Sequence, residues 1–301
     1  MRPSVCITID TEGDSADNPH STFFGIQREI PVLLDIFERR RIKATFFVQQ
    51  DATCAVGSRF RDIWKTAEDR GHEIGLHIHG LTGRSDEQKS ELIRRSAENM
   101  RGLGFDPVSF RAGTFSLSGS MLPMLEAIGI RFDSSVVPGL RETDKAGRER
   151  CNHIGAPHLP YHPSPGDHTQ NGESSILELP VNRYEKIRSH AFRGILTGYG
   201  KEEALFDHFR ENRKDPVIIM VLHSWDRLQK LFQNMVRRRF GTYGRGRRWL
   251  YHVAAALNKK RILDRRSVSY LEEILEYFTD QGVDFRTIRE TGEWISRAGN
   301  V

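Results

Sequence analysis

Apolar runs of strand length alternate with helix-spaced segments along most of this sequence, and that alternation limits the folds open to it. "SVCITID" (4–10), "KATFFVQ" (43–49), "HEIGLHI" (72–78), "VSFRAG" (108–113), "IRFDSSV" (130–136), "SSILELPV" (174–181) and "PVIIMVLHSWD" (216–226) read as strands. Between them, 28–42, 60–71, 85–104, 119–129 and 199–213 carry helix spacing, and Ser85 with Gln88 forms a capping pattern. A last helix and strand fill 267–288. Repeated β-α units of this length imply a parallel sheet curled into a barrel with helices outside. The expected class is therefore α/β: a distorted barrel of about seven parallel strands.

The chain has 301 residues, room for one large α/β domain. The expected organisation is a single domain over 1–301 with two insertions. The first, about 139–175, is rich in Gly, Pro, His and charge, has little periodicity, and reads as a long loop over the substrate. The second, about 227–266, is basic: from Lys230 to Arg266 there are twelve Lys and Arg against one acid, Asp264. No stretch is apolar enough to span a membrane and the N-terminus lacks the pattern of a signal peptide, so a cytoplasmic location is expected. Cys6, Cys54 and Cys151 have unrelated spacings, which excludes a cysteine-based zinc knuckle, and Cys6 reads as a core residue.

In barrels of parallel strands the chemistry gathers at the C-terminal strand ends, and reactive side chains gather there in this sequence. The first strand ends in Asp10 and Glu12, the third in His77 and His79, the fourth in Arg111, the fifth in Asp133-Ser134-Ser135 and the seventh in His223. Residues two apart on a strand share a side, so Asp10 and Glu12 face together, as do His77 and His79. Each has a structural alternative: a helix cap for the acids, a hydrogen-bonded core histidine, an ordinary ion pair for Arg111. Together they compose a hydrolytic site. Glu12, His77 and His79 offer the carboxylate and imidazole donors of a zinc-type centre. Asp10 is the general base, Arg111 holds it ionised, and His223, expected from the far side of the barrel, protonates a leaving amine.

"GHEIGLH", "FRAGTFS" with "GIRFDSS", "KATFFV" and "VLHSWD" resemble the motifs of the NodB-homology polysaccharide deacetylases, carbohydrate esterase family 4. The resemblance covers roughly 4–138, 174–226 and 267–290. It implies a distorted (β/α) barrel that removes N-acetyl groups with a divalent metal. Two positions depart from the family pattern. The first motif usually has adjacent aspartates, the first a base and the second a ligand; here "DTE" spaces the acids by one residue, with Asp10 in the base role and Glu12 in the ligand role. The second motif usually repeats its histidine four residues on, where this chain has Leu81. His79 is the nearest substitute, and His20 is the alternative third ligand.

His72 lies at the start of its strand and reads as structural; His153, His158, His162 and His168 fall in the first insertion. The expected activity is metal-dependent N-deacetylation of an amino sugar in surface-glycan or lipid-linked glycan biosynthesis, with Zn2+ as cofactor and an N-acylated saccharide as partner. The alternatives are an amidohydrolase on a non-sugar amide and a non-catalytic sugar- or lipid-binding protein of the same fold. The segment 230–266, which interleaves arginines with Phe240, Tyr243, Trp249 and Tyr251, is expected to touch an anionic membrane peripherally; no nucleic-acid motif accompanies it.

Overall fold

The computed structural model describes residues 3–13, 23, 25–51, 54–144, 146–181, 209–210, 217–224 and 265–298. The expected helix over 199–213 falls largely outside these residues, and the basic segment almost entirely so. Among the described residues no helix is long and apolar enough to cross a membrane.

The central sheet contains β1 (Ser4–Thr11), β2 (Ala44–Gln49), β3 (Glu73–Ile78), β4 (Ser109–Ala112), β5 (Phe132–Asp133), β10 (Leu177–Glu178) and β11 (Val217–His223). Their order is β10-β5-β4-β3-β2-β1-β11 and every pairing is parallel. This is the expected distorted barrel. It is open: β10 and β11 end the path and share no pairing among the described residues. A short strand, β12 (Asp284–Phe285), joins the N-terminal end of β1, on the edge that β2 leaves free until Ile7.

Strand alternation divides the core into two layers. Val5, Ile7, Ile9, Phe46, Val48, Ile74, Leu76, Ile78 and Phe110 pack outward with Ile218, Met220 and Leu222 in one buried cluster. Cys6, Phe47, Val217, Ile219 and Val221 belong to a second cluster inside the curled sheet. The outer layer is covered by α1 (Ile30–Arg40), α3 (Arg61–Asp69), α4 (Asp86–Gly102), α5 (Leu122–Ala127) and α6 (Arg265–Asp280), each inserting apolar side chains: Phe37, Trp64, Met100, Leu125 and Phe278 are almost fully buried. A single turn, α2 (Val56–Arg59), precedes α3. The capping pattern is realised: Gln88 N–H donates to Ser85 Oγ at 3.3 Å and Ser85 N–H to Gln88 Oε1 at 3.1 Å.

One helix went unread in the sequence. α7 (Ile288–Ala298) packs at the N-terminal end of the strands. Its first N–H groups, which have no partner within the helix, are met by inward-facing polar side chains: Ile288 N–H donates to Thr45 Oγ1 at 2.9 Å and Arg289 N–H to Glu73 Oε2 at 2.9 Å. Cys6 Sγ lies 3.0 Å from Thr291 Oγ1. Burial pushes the Cys6 thiol up to about 12, which makes it an inert core group as expected.

The first insertion differs from the loop that was expected. It carries two antiparallel ribbons, β6 (Arg141–Thr143) with β7 (Glu149–Asn152) and β8 (Pro163–Ser164) with β9 (Asp167–Asn171). Strands this short leave almost no alternation to read.

Candidate active site

Parallel register brings the strand ends level. Asp10 pairs with His223 on β11 and with Phe47 on β2, Gln49 with His77, and His77 with Arg111. Asp10, Glu12, His77 and Arg111 are each at most 4% exposed. His223 was expected from across the barrel. It stands instead on the strand next to Asp10, because the seventh strand pairs directly with the first.

Arg111 is fully buried and its guanidinium is committed on every side. Nη1 donates to Asp10 Oδ1 at 2.9 Å and to Thr8 Oγ1 at 2.7 Å, Nε to Ser134 O at 2.8 Å, and Nη2 to Ser134 Oγ at 2.9 Å. The Phe47 ring lies 4.3 Å beneath it. Gly75 makes room for that ring, since a Cβ there would come within 2.8 Å of Phe47. Burial works to raise the Asp10 pKa. The charge of Arg111, hydrogen-bonded to it, outweighs burial, so Asp10 stays below the ordinary aspartate value and is ionised.

Glu12, His77 and His79 form a compact donor set, one ligand atom from each lying within 4.8 Å of the others. His79 Nε2 contacts Glu12 Oε2 and lies 3.1 Å from His77 Nε2. His77 Nδ1 is 2.8 Å from Arg111 O, an acceptor only, so Nδ1 carries the proton and Nε2 turns a lone pair into the cluster. Burial lowers the His77 pKa, which keeps the ring neutral. Burial also acts to lower His79, but the Glu12 carboxylate beside it prevails and raises it. Burial acts to raise Glu12, and the charge and hydrogen bond of His79 hold it below its ordinary value. Two imidazole nitrogens and one carboxylate oxygen converging in a buried site fit a zinc-type ion. His20, the alternative ligand, lies outside the described residues.

Two supports for His79 escaped sequence reasoning. Asp51, just past β2, accepts the His79 N–H at 3.1 Å, the Gln49 side-chain amide at 2.8 Å and Cys54 N–H at 3.0 Å. The strand-end rule applied to β2 would have found it. Gly113 faces the His79 ring, and the turn after it holds Thr114 and Phe115 at φ of 54° and 56°, left-handed values that cost about 1–3 kcal/mol each for such residues.

The remaining histidines sit apart. His72 is structural, as expected: its Nδ1 accepts Ala44 N–H at 3.1 Å, between Phe37 and Phe46. His153 and His168 pack ring to edge at 5.2 Å within the insertion, and His162 Nδ1 faces the carbonyls of Ser174 and Ile176. Among the described residues only Glu12, His77 and His79 form a cluster of three metal-ligating groups. Asp133 is at a strand end, but its register partner Phe110 faces the outer layer, so its side chain is not in the cluster.

The family model for polysaccharide deacetylase matches residues 3–132, a span that includes Asp10, Glu12, His77, His79 and Arg111. No curated protein matches the chain by sequence. A Mycobacterium smegmatis structure described as a candidate polysaccharide deacetylase is 18% identical, with a TM-score of 0.61 over 100% of this chain and 92% of its own. A Pseudomonas aeruginosa PAO1 structure with the same kind of description is 14% identical, with a TM-score of 0.58 over 98% and 91% of the two chains. At these identities the two structures speak for the fold alone. The match to the polysaccharide deacetylase family model thus takes in every strand end of the candidate site from β1 to β4.

Proposed function

We propose that the chain is a metal-dependent hydrolase that removes an N-acetyl group from an amino sugar. The observation that carries this reading is the place of Asp10: an ionised, buried carboxylate held by Arg111, beside His223 in register, next to the Glu12–His77–His79 donor set. When bound at those three residues, zinc supplies Lewis-acid polarisation of the acyl carbonyl. Asp10 accepts a proton from the attacking water as the water oxygen bonds to the acyl carbon. The C–N bond then breaks, and His223 delivers a proton to the departing sugar nitrogen. The products are acetate and the free amine. Arg111 keeps Asp10 ionised and fixes its orientation before the reaction. The test is acetate release from N-acetylglucosamine oligomers and from a lipid-linked N-acetylated sugar by the zinc-loaded chain. No release from either, at full zinc occupancy, would turn the reading toward a non-sugar amide or a binding protein.

The whole chain, 1–301, is read as one such domain. For its partner and place we propose a cytoplasmic enzyme of surface-glycan or lipid-linked glycan synthesis. The segment 230–266 would bring it to anionic lipid, at about 1 kcal/mol per Lys or Arg near the surface. Co-sedimentation with anionic but not neutral vesicles, weakening as salt rises, is the expected result; equal binding to both vesicle types, or none to either, removes the membrane from the proposal.

A further inference from the structure

Behind Arg111 lies a pair of buried acids that the proposed chemistry does not use. Asp133 on β5 and Glu178 on β10 are register partners on parallel strands and both are 0% exposed. One oxygen of each is satisfied: Ser135 Oγ donates to Asp133 Oδ1 at 2.5 Å, and Val136 N–H donates to Glu178 Oε1 at 3.0 Å. The other two, Asp133 Oδ2 and Glu178 Oε2, meet no N–H or O–H donor of the described residues. The two side chains are within hydrogen-bonding reach of each other. Two bare carboxylates in that contact are untenable in a buried site, and a single proton satisfies both orphaned oxygens.

We propose that Asp133 and Glu178 share one proton at neutral pH and act as a positioning pair for Arg111. The path is short. Asp133 fixes Ser135, whose Oγ accepts Ala112 N–H at 2.8 Å, and Glu178 fixes Val136. Between them Ser134 presents both its carbonyl and its hydroxyl to Arg111, and Ser134 Oγ is tied in turn to Leu179 O at 2.9 Å. The pair thus clamps the segment on which half of the Arg111 guanidinium rests. The groups facing it are Arg111 from β4, which favours the ionised forms, and the Tyr161 phenol, whose own pKa is raised by burial first and then by the two acids. Burial, then the Asp133 charge, raises Glu178 well above its ordinary value, so Glu178 holds the proton. A folded-state pKa above the unfolded one gives stability that is complete below the ordinary glutamate range and is lost as pH rises toward the folded value.

Infrared spectroscopy and amide exchange on the full chain test the pair. At neutral pD the wild type shows the carbonyl stretch of a protonated carboxyl, and Glu178→Gln lacks it. The glutamine amide donates to Asp133 and its oxygen accepts from Val136. Glu178→Gln therefore keeps slow exchange at the Val136 amide, which Glu178→Ala loses, and it keeps at alkaline pH the stability that the wild type sheds. The activity arm rests on the proposed deacetylase reading. Glu178→Ala lowers kcat by up to about a hundredfold with little change in KM, and Glu178→Gln restores it. Absence of the carboxyl band, or a glutamine variant as damaged as the alanine one, overturns the shared proton. Wild-type kcat in Glu178→Ala overturns the positioning role. A wild-type chain inactive on every N-acetyl sugar overturns the reading of function, and the infrared and exchange results then decide the pair alone.

Discussion

The His79 imidazole occupies the space that a side chain on residue 113 would need. A Cβ on Gly113 would lie 2.5 Å from His79 Cδ2 and Cγ and 2.7 Å from Nδ1. An approach that close forces the ring to move. Gly113→Ala should therefore push His79 out of contact with Glu12 and His77 while leaving the barrel folded. We expect zinc affinity to fall about 10–100-fold, as for loss of other supports of a metal ligand, with little change in the unfolding temperature of the metal-free protein. Calorimetric zinc titration measures it. Unchanged affinity would remove His79 from the ligand set.

Asp10→Asn keeps the shape of the side chain and its contact with Arg111 but removes the base. Turnover should drop about 10²–10⁴-fold with zinc still bound. Loss of the metal from this variant, read by elemental analysis, would show that Asp10 is a ligand and that the roles of Asp10 and Glu12 must be exchanged.

Arg111→Ala leaves the Asp10 carboxylate buried without its counter-charge, and removal of one partner of a buried pair costs about 3–5 kcal/mol. Arg111→Lys should recover only part of this. One ammonium cannot reach Asp10, Thr8 and both acceptors of Ser134 together. Denaturant unfolding of the three proteins ranks them. A lysine variant as stable as the wild type would contradict the account.

Burial, helped by nearby Arg70 and Lys43, depresses His72 from 6.5 to about 4. The folded state thus favours the neutral ring. Its contribution is fully present above pH 6.5 and is lost as pH falls toward 4. A shift of that size corresponds to about 3 kcal/mol across the window. His72→Gln retains an acceptor for Ala44 N–H but binds no proton, so its urea midpoint should fall less steeply between those pH values. Parallel curves for variant and wild type would mean that His72 does not titrate with unfolding; His153, depressed by burial to about 3, would then be the next group to test.

The alternation of strands and helices, the gathering of reactive groups at strand ends, and the same-side spacing of Asp10 with Glu12 could all be read along the chain, because strand periodicity and the parallel β-α unit are local rules. The same rules made His72 structural and Cys6 core. They failed where elements are short or contacts are distant. The ribbons β6–β7 and β8–β9 are too brief to show a period. α7 was missed although it closes the N-terminal end of the strands, where Thr45 and Glu73 satisfy its first N–H groups from far away in sequence.

Spacing alone could list Asp10, Arg111 and His223 but could not say which of them touch. Sheet order decided that: β11 pairs with β1, so His223 stands beside Asp10 rather than across from it. The exchange of Leu81 for His79 as the second histidine was legible as a possibility, yet its feasibility depends on the missing Cβ of Gly113, in the turn just after β4, a strand that meets β3 only in the folded sheet. The Asp133–Glu178 pair is of the same kind. Its two acids are ordinary at their own positions in the chain, and burial in adjacent register is what makes them need a proton. Side-chain direction is a property of the strand; which charge meets which is a property of the folded sheet.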